Sequence, residues 1–314
     1  MTAALPANAE SRLRHTLRAG GFAVTAEITP PVAGAAGPLL ALAAPLRNRV
    51  DAINVTDGPR ARVHMSSLAA SAILASNGIE PVLQLTCRDR NRIALQSDLL
   101  GASALGIANV LVLRGDDPGP GEGGEPAAKP VFDVDSDEVI AIAARMRDAG
   151  MLPSGRAIAG PPRLFIGAAD TPVDPQPGWA PARLARKIEL GAGFVQTQLC
   201  YDIDLARRYM ARLVDSGLAD KAFILIGTGP IASARSARWM RENLWGVSVP
   251  DDIVERLERA SDPADEGAKI CIEIVEALRA TPGVAGVHLM APGNMRSLPR
   301  VLEKVGAAAS TGDV

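Results

Sequence analysis

The sequence predicts a single (β/α)8 barrel, in which eight parallel strands alternate with helices. Three observations predict it: short apolar segments alternate with segments of helical periodicity, the apolar segments number eight, and the composition shows no break along the 314 residues. Strict alternation of strand and helix indicates a parallel sheet that helices cover. A count of eight favours closure into a barrel over an open, doubly wound sheet.

The strands are predicted from short apolar runs rich in β-branched residues. In chain order they are residues 22–28, 51–55, 81–86, 109–113, 164–168, 194–198, 222–226 and 286–289. Apolar residues at three- and four-residue intervals predict helices between them, at residues 65–76, 92–105, 137–148, 181–190 and 203–213. Two further helical segments, 251–259 and 266–278, are predicted to form an insertion between the seventh and eighth strands.

The remaining segments are predicted to be loops of the same domain. Residues 118–130 and 153–162 are rich in glycine and proline, which indicates loops and not domain linkers. The run from Gly119 to Gly124 lacks the strand-to-helix context and the lysine of a P-loop, so we expect a flexible lid. We expect one catalytic domain over residues 1–314, with no regulatory domain, because the chain ends soon after the last predicted helix.

Composition excludes several classes of function. The chain has 33 basic and 35 acidic side chains and a formal net charge of -2, without the basic stripe that a nucleic-acid partner requires. Cysteine and histidine are too few and too scattered for a disulfide framework or a metal site; they are Cys87, Cys200, Cys271, His15, His64 and His288. We expect a cytoplasmic protein with no membrane partner, because neither a signal peptide nor a long apolar stretch is found.

The first candidate site residue is Glu27, a single carboxylate at the end of the otherwise apolar first strand. It stands just before the double proline Pro30-Pro31. In a parallel barrel, the chemistry gathers where strands end. Burial disfavours the charged form of a carboxyl group, so Glu27 can stay protonated near neutral pH and act as a general acid. The alternative is a carboxylate at the rim that pairs with an arginine.

Other strand ends also carry polar groups. Asp116 follows the fourth strand beside Gly115, a residue that lets the backbone approach a ligand, although an ordinary capped turn would look the same. Gln198 interrupts the apolar sixth strand, and its amide either satisfies the core or contacts a ligand. The second and third strands end in residues 54–58 and 83–87, which add further polar side chains. Agreement among four strand ends indicates one site.

Taken in order, these motifs resemble the methylenetetrahydrofolate reductase family from about residue 14 to residue 306. The resemblance rests on Glu27 with Pro30-Pro31, Val55-Thr56, Leu85-Thr86-Cys87, Leu113-Arg114-Gly115-Asp116, residues 187–198 with Gly191-Ala192-Gly193, and residues 286–294. Each motif is weak alone, but their order and spacing are specific. The resemblance implies a (β/α)8 barrel that reduces 5,10-methylenetetrahydrofolate to 5-methyltetrahydrofolate, with tetrahydrofolate derivatives as ligands.

The resemblance also implies roles for individual residues. Glu27 matches the family's general acid, Asp116 the aspartate beside the pterin, and Gln198 the amide that contacts the substrate. Protonation releases the bridging methylene from N10 and leaves an iminium at N5 that accepts hydride, which a neutral Glu27 and a negative Asp116 would assist. Positions on the cofactor side are matched by Thr56, Arg114, Gly115 and Lys187.

The chain departs from the flavin-containing members of this family at three positions. Gln84 stands where those members have a histidine, and we expect it to contact the substrate. Asp170 and Asp174 replace an aromatic residue and a histidine, which would remove contacts and repel the diphosphate of FAD. We therefore expect NADH or NADPH to donate hydride directly, with FAD in doubt and no metal.

Three alternatives stay open at this stage. The chain could be an FAD-dependent reductase, or an enzyme that runs in reverse and oxidises methyl-folate during methyl-group catabolism. It could also be a folate-binding or complex-forming barrel without catalysis, since a fold does not guarantee chemistry. Retention of Glu27, Asp116 and Gln198 together argues against the last. The sequence does not distinguish NADH from NADPH or indicate an oligomeric state.

Overall fold

The computed structural model describes residues 11–119, 125, 127–292 and 294–306. Its eight strands form one closed parallel barrel in sequential order, which confirms the predicted architecture. The strands are β1 Ala23–Ile28, β2 Ala52–Val55, β3 Pro81–Thr86, β4 Asn109–Leu113, β5 Phe165–Asp170, β6 Phe194–Leu199, β7 Phe223–Thr228 and β8 Val284–Leu289. Apart from Gly119, the predicted lid over residues 119–124 lies outside the described residues.

Eleven α-helices are found in the described part of the chain. They are α1 Arg12–Arg18, α2 Ala36–Ala43, α3 Ser67–Ser76, α4 Arg92–Ala104, α5 Ser136–Asp148, α6 Ala182–Glu189, α7 Ile203–Asp215, α8 Ala234–Asn243, α9 Asp251–Arg259, α10 Pro263–Arg279 and α11 Leu298–Val305. The predicted insertion between β7 and β8 is confirmed as α9 and α10. Helices α2 and α8 were not predicted, and no bounds were predicted for α1 and α11.

The interior of the barrel changes from apolar to polar along its axis. Side chains alternate along each strand, so every second residue faces inward. Near the strand starts the interior is aromatic: Phe165 and Phe194 lie with their ring centroids 4.7 Å apart in one buried cluster. Gly167 leaves room for this packing, because a Cβ there would collide with the Phe194 ring. Nearer the strand ends, inward positions of β1, β2, β3, β6 and β8 carry the polar side chains Thr25, Asn54, Gln84, Gln196 and His288.

The described residues were searched for membrane-spanning helices and for metal sites. None of their helices combines the length and the apolar character that a bilayer crossing demands. Within the same residues, no group of three or more histidine, cysteine, aspartate or glutamate side chains is arranged to hold a metal ion. The three cysteines are buried and form no disulfide.

Candidate active site

The polar residues predicted from the strand ends lie at one mouth of the barrel. All eight strands run parallel, so their carboxyl ends share one end of the molecule. Glu27 and Gln84 face inward and contact each other across β2. Gln198 follows Gln196 by two residues on β6, and Gln196 points into the interior, where it contacts Thr25. The pairing of β6 with β7 is irregular between Gln196 and Leu199, so Gln198 is placed at this mouth by its position at the end of β6.

Glu27 is partly buried and held by its neighbours. Its side chain is 25% exposed, and its Oε2 lies 3.6 Å from Nε2 of His288. The amide of Gln84 donates a hydrogen bond of 2.8 Å to the same oxygen. No arginine of the described chain pairs with Glu27, so the alternative of a rim ion pair is not found. Among the described residues, Oε1 of Glu27 makes no hydrogen bond.

Asp116 connects two loops at the mouth. It is exposed in the loop after β4, and its Oδ2 accepts a hydrogen bond of 2.7 Å from the backbone N–H of Arg60 in the loop after β2. Arg60 has a left-handed backbone with φ of 57° and lies with its guanidinium over the Trp239 ring. The carboxylate of Asp116 thus holds a strained loop while leaving its side chain open to solvent.

Gly115 is required by packing as well as by backbone conformation. Its φ is 87°, in the region that glycine favours, and a Cβ there would lie 3.0 Å from Cβ of Thr86 and 3.1 Å from Cβ of Arg88. The β4 loop can therefore approach the end of β3 closely. This gives a structural reason for the glycine that does not depend on a ligand.

Gln198 makes hydrogen bonds only to backbone atoms among the described residues. Its Nε2 donates to the carbonyl of Trp245 at 3.3 Å, and its Oε1 accepts from the N–H of Leu199 at 2.9 Å. The Trp245 side chain is 78% exposed at the rim of the mouth. The half-buried amide can exchange the long bond to Trp245 for a ligand without leaving a charge unpaired.

A buried polar chain beneath Glu27 was not predicted from the sequence. Side chains from β2, β6, β1 and β8 are linked by hydrogen bonds across the barrel; they are Asn54, Gln196, Thr25 and His288. The scatter of the histidines in the sequence argued against a metal site and gave His288 no other role. The signal that could have identified this polar chain is the spacing of two residues that places Thr25 and Glu27 on one face of β1.

A cavity of about 810 Å³ lies beside this mouth, at the ends of β4 and β5 and the start of α6. Arg114 and Lys187, two of the residues predicted on the cofactor side, line it together with Asp170, Trp179 and Trp245. Arg114 pairs with Asp117 at 2.9 Å. Lys187 donates to the carbonyl of Ala169 at 2.6 Å, and burial lowers the pKa of its amine.

The other two predicted cofactor-side residues, Thr56 and Gly115, do not line this cavity. Thr56 is buried at 5% exposure and its hydroxyl donates to Thr29 at 3.3 Å. Gly115 packs against the end of β3, as described above. The structure thus brings Arg114 and Lys187 together and leaves Thr56 in the wall of the barrel.

The sequence predicts that Asp170 and Asp174 both repel the diphosphate of FAD, and the structure separates the two residues. Asp174 is exposed and pairs with Arg208 at 2.8 Å, so its charge is balanced locally. Asp170 lines the cavity and accepts a short hydrogen bond from the hydroxyl of Tyr209. Burial, together with the charge of Asp170, raises the pKa of Tyr209 well above its ordinary value, so the phenol stays neutral. Any repulsion therefore comes from Asp170.

A larger cavity, of about 1370 Å³, lies at the opposite end of the barrel, where the strands begin. Phe165 and Phe223 contribute to its lining. Catalytic groups of (β/α)8 barrels sit at the carboxyl ends of the strands, and the opposite end serves stability. The mouth that contains Glu27 is therefore the candidate active site.

Comparison with known proteins identifies the family of the chain. The family model described as methylenetetrahydrofolate reductase matches residues 12–306. Methylenetetrahydrofolate reductase 2 of Saccharomyces cerevisiae is 24% identical over 249 residues, which cover 77% of this chain and 39% of the yeast protein. A probable methylenetetrahydrofolate reductase (NADPH) of Caenorhabditis elegans is 26% identical over 263 residues, or 80% and 36% of the two chains. The chain spans less than two fifths of these relatives.

Solved structures share the fold at low sequence identity. An uncharacterized protein from Clostridium thermocellum, described as binding two copies of 5-methyl-5,6,7,8-tetrahydrofolic acid, has a TM-score of 0.65 and 12% identity, with 93% of this chain and 98% of that chain covered. An EDTA monooxygenase from Chelativorans sp. BNC1 has a TM-score of 0.50 and 12% identity, with 90% and 92% covered. At such identities the similarity shows the fold alone.

Proposed function

The chain belongs to the methylenetetrahydrofolate reductase family, and from this premise we propose that it reduces 5,10-methylenetetrahydrofolate to 5-methyltetrahydrofolate as a single catalytic barrel. The observation that carries the proposal is the partly buried carboxyl group of Glu27, which faces the lumen at the mouth and is held by Gln84. The fold neighbour from Clostridium thermocellum, which binds a methylated tetrahydrofolate, agrees with a folate derivative as the ligand.

The proposed reaction needs a proton before it can accept a hydride. Glu27 gives the proton on Oε1 to N10 of the substrate, so the bond between N10 and the bridging methylene breaks and an iminium forms at N5. Asp116 accepts hydrogen bonds from the aminopyrimidine edge of the pterin, and its charge stabilises the cation. Gln198 exchanges its bond to Trp245 for the pterin and fixes the orientation of the ring.

We propose that NADH or NADPH is the hydride donor and that no FAD takes part. Arg114, Arg183 and Lys187 give the cavity beside the mouth the cationic groups that the diphosphate of a dinucleotide needs, and Trp179 offers an aromatic face. When bound, the nicotinamide supplies the hydride. Asp170 fits a flavin poorly, since its carboxylate offers no stacking surface to the flavin ring.

The purified protein tests this proposal directly. We expect a colourless preparation that oxidises NADH or NADPH when 5,10-methylenetetrahydrofolate is added without flavin. Release of stoichiometric FAD on denaturation would contradict the flavin-free reaction. Folate binding without turnover, with either nicotinamide and with or without FAD, would instead favour a non-catalytic barrel. Comparing the rate with that of 5-methyltetrahydrofolate oxidation by NAD⁺ measures the reverse reaction under the same conditions.

We predict that Gln198→Ala raises the KM for the folate substrate by about fivefold, with a smaller change in kcat. One neutral hydrogen bond contributes about 1 kcal/mol, which corresponds to that factor. Steady-state kinetics at saturating nicotinamide measures the effect. The matched control is Gln96→Ala, because Gln96 lies on α4 and bonds only its own helix. Equal KM values for Gln198→Ala and the unsubstituted protein would remove Gln198 from the binding site.

A further inference from the structure

Four polar side chains cross the barrel interior directly beneath the candidate acid. Asn54 and Thr25 are fully buried, and Gln196 and His288 are each 2% exposed. Burying a polar group costs free energy unless its hydrogen bonds are made, and apolar side chains would fill this space without that cost. A hydrogen-bonded polar chain in this place therefore indicates that these side chains orient a neighbouring group as well as fill space.

The order of donors along this polar chain indicates where the proton of His288 lies. Asn54 and Gln196 exchange two hydrogen bonds, of 2.6 and 3.1 Å, between their amides. Gln196 uses its second N–H on Oγ1 of Thr25 at 3.0 Å. The Thr25 hydroxyl can then donate to Nδ1 of His288 at 3.0 Å, which is closer than the carbonyl of Val287 at 3.4 Å. Since Nδ1 accepts, a neutral His288 carries its proton on Nε2.

That proton points at the candidate acid. Nε2 of His288 lies 3.6 Å from Oε2 of Glu27, the oxygen that already accepts from Gln84 at 2.8 Å. The distance to His288 is longer than a hydrogen bond, but contacts of this kind tighten when a substrate binds. Two donors that converge on Oε2 oppose rotation of the carboxyl group. Both donors act on Oε2, so Oε1 stays available for the proton that the proposed reaction needs.

The polar chain of Asn54, Gln196, Thr25 and His288 does not conduct protons to Glu27 from solvent. It ends in the reciprocal amide pair of Asn54 and Gln196, which is buried and contains no titratable group. Glu27 itself is 25% exposed and can exchange its proton directly at the mouth. These side chains can therefore orient the carboxyl group of Glu27, but they cannot resupply its proton.

We propose that His288 is a positioning residue for Glu27: the chain of Asn54, Gln196 and Thr25 holds its imidazole as the Nε2–H tautomer, and this N–H fixes the acid in its productive orientation. The inference rests on the proposed function, since it assumes that Glu27 donates a proton. It assigns to a buried histidine, over 200 residues distant in sequence, a part in the same step.

The test compares two substitutions of one residue. His288→Leu keeps bulk but removes the donor, and we expect kcat to fall by about tenfold to a hundredfold with little change in the KM for folate. His288→Gln keeps an N–H near the position of Nε2, and we expect it to recover most of that loss. His15→Leu, on the exposed face of α1, is the control and should behave as the unsubstituted protein. Equal losses in His288→Leu and His288→Gln would overturn the proposal.

A double substitution separates positioning from folding. If His288 acts through Glu27, His288→Leu should cause no further loss of kcat in a Glu27→Gln background. Losses that multiply would show that the two residues act independently, which overturns the inference and leaves the proposed function intact. Absence of turnover in the unsubstituted protein would instead contradict the proposed function.

Nuclear magnetic resonance of the ¹⁵N-labelled histidines gives a measurement that does not depend on activity. We expect the signals of His288, assigned by their absence in His288→Gln, to report the Nε2–H tautomer at neutral pH. An Nδ1–H tautomer would mean that the Thr25 hydroxyl donates to the carbonyl of Val287 or that both amides are reversed. In either case the N–H of His288 would not be directed at Glu27, and the proposal would be wrong.

Discussion

Glu27→Gln is expected to lower kcat by about a hundredfold to ten-thousandfold, the range that general acids contribute, while folate binding changes little. The substituted side chain has the same shape and can still accept from Gln84, which at present donates to Oε2 at 2.8 Å. It has no acidic proton to give to N10, so the methylene bridge stays closed. NADH oxidation measures the turnover, and titration calorimetry with the folate measures the binding.

Glu303→Gln is the matched control, because Glu303 lies on α11 with its side chain 64% exposed, paired only with Arg49. It should leave both quantities unchanged. If Glu27→Gln keeps full turnover, the proton comes from elsewhere and the proposed role of Glu27 is wrong. If turnover and binding fall together by the same factor, Glu27 contributes to binding of the substrate and not to the proton transfer.

The strands were predictable because burial gives each of them a local signal in the sequence. Both faces of a strand in a parallel barrel are covered, so each strand is a short apolar run. Every predicted strand is present, and its ends differ from the prediction by at most two residues. The missed helices lack such a signal. Helix α2 is built of small and apolar residues with Gly37 and Pro38 in its first turn, and α8 buries only Ala234, Ala237 and Met240. Helix α2 shows no clear apolar stripe, and the stripe on α8 consists of only two alanines and one methionine.

The site was predictable only where strand ends determine it. Parallel strands bring their carboxyl ends together whatever the loops do, so Glu27 and Gln198 could be placed at one mouth. The contact between Thr25 and His288 joins residues 263 positions apart and exists only because closure of the barrel places β8 beside β1. The pairing of Asp174 with Arg208 likewise depends on how a loop folds. Such contacts require the register, which no periodicity reveals.

The mouth also depends on a buried ion pair one residue beyond Thr56. Asp57 is 7% exposed and accepts hydrogen bonds from Arg90 at 2.7 and 3.2 Å, from the backbone and hydroxyl of Thr86 at 2.9 and 2.8 Å, and from Ser67 at 3.0 Å. It joins the loop after β2 to the end of β3. The same loop carries Arg60, whose backbone N–H binds Asp116.

Asp57→Ala is expected to lower the free energy of unfolding by about 3–5 kcal/mol at neutral pH, because it leaves Arg90 buried with Asp98 as its remaining partner. Urea unfolding followed by circular dichroism measures the loss. Asp220→Ala, on an exposed loop, is the control and should change stability by under about 0.5 kcal/mol. A loss below about 1 kcal/mol for Asp57→Ala would mean that Asp98 alone satisfies Arg90.

The dependence of this loss on pH follows from the pKa of Asp57. Burial alone would raise that pKa, but the hydrogen bonds and charge of Arg90 and the two donors of Thr86 together hold it below its ordinary value of 3.8. A carboxyl group whose pKa is lowered by folding stabilises the protein fully above the unfolded value and loses that contribution as pH falls through the folded value. The difference in stability between Asp57→Ala and the unsubstituted protein should therefore be constant near neutrality and shrink below about pH 4. A difference that grows on acidification would show that Asp57 is neutral in the folded barrel, and that no ion pair ties the loop after β2 to the mouth.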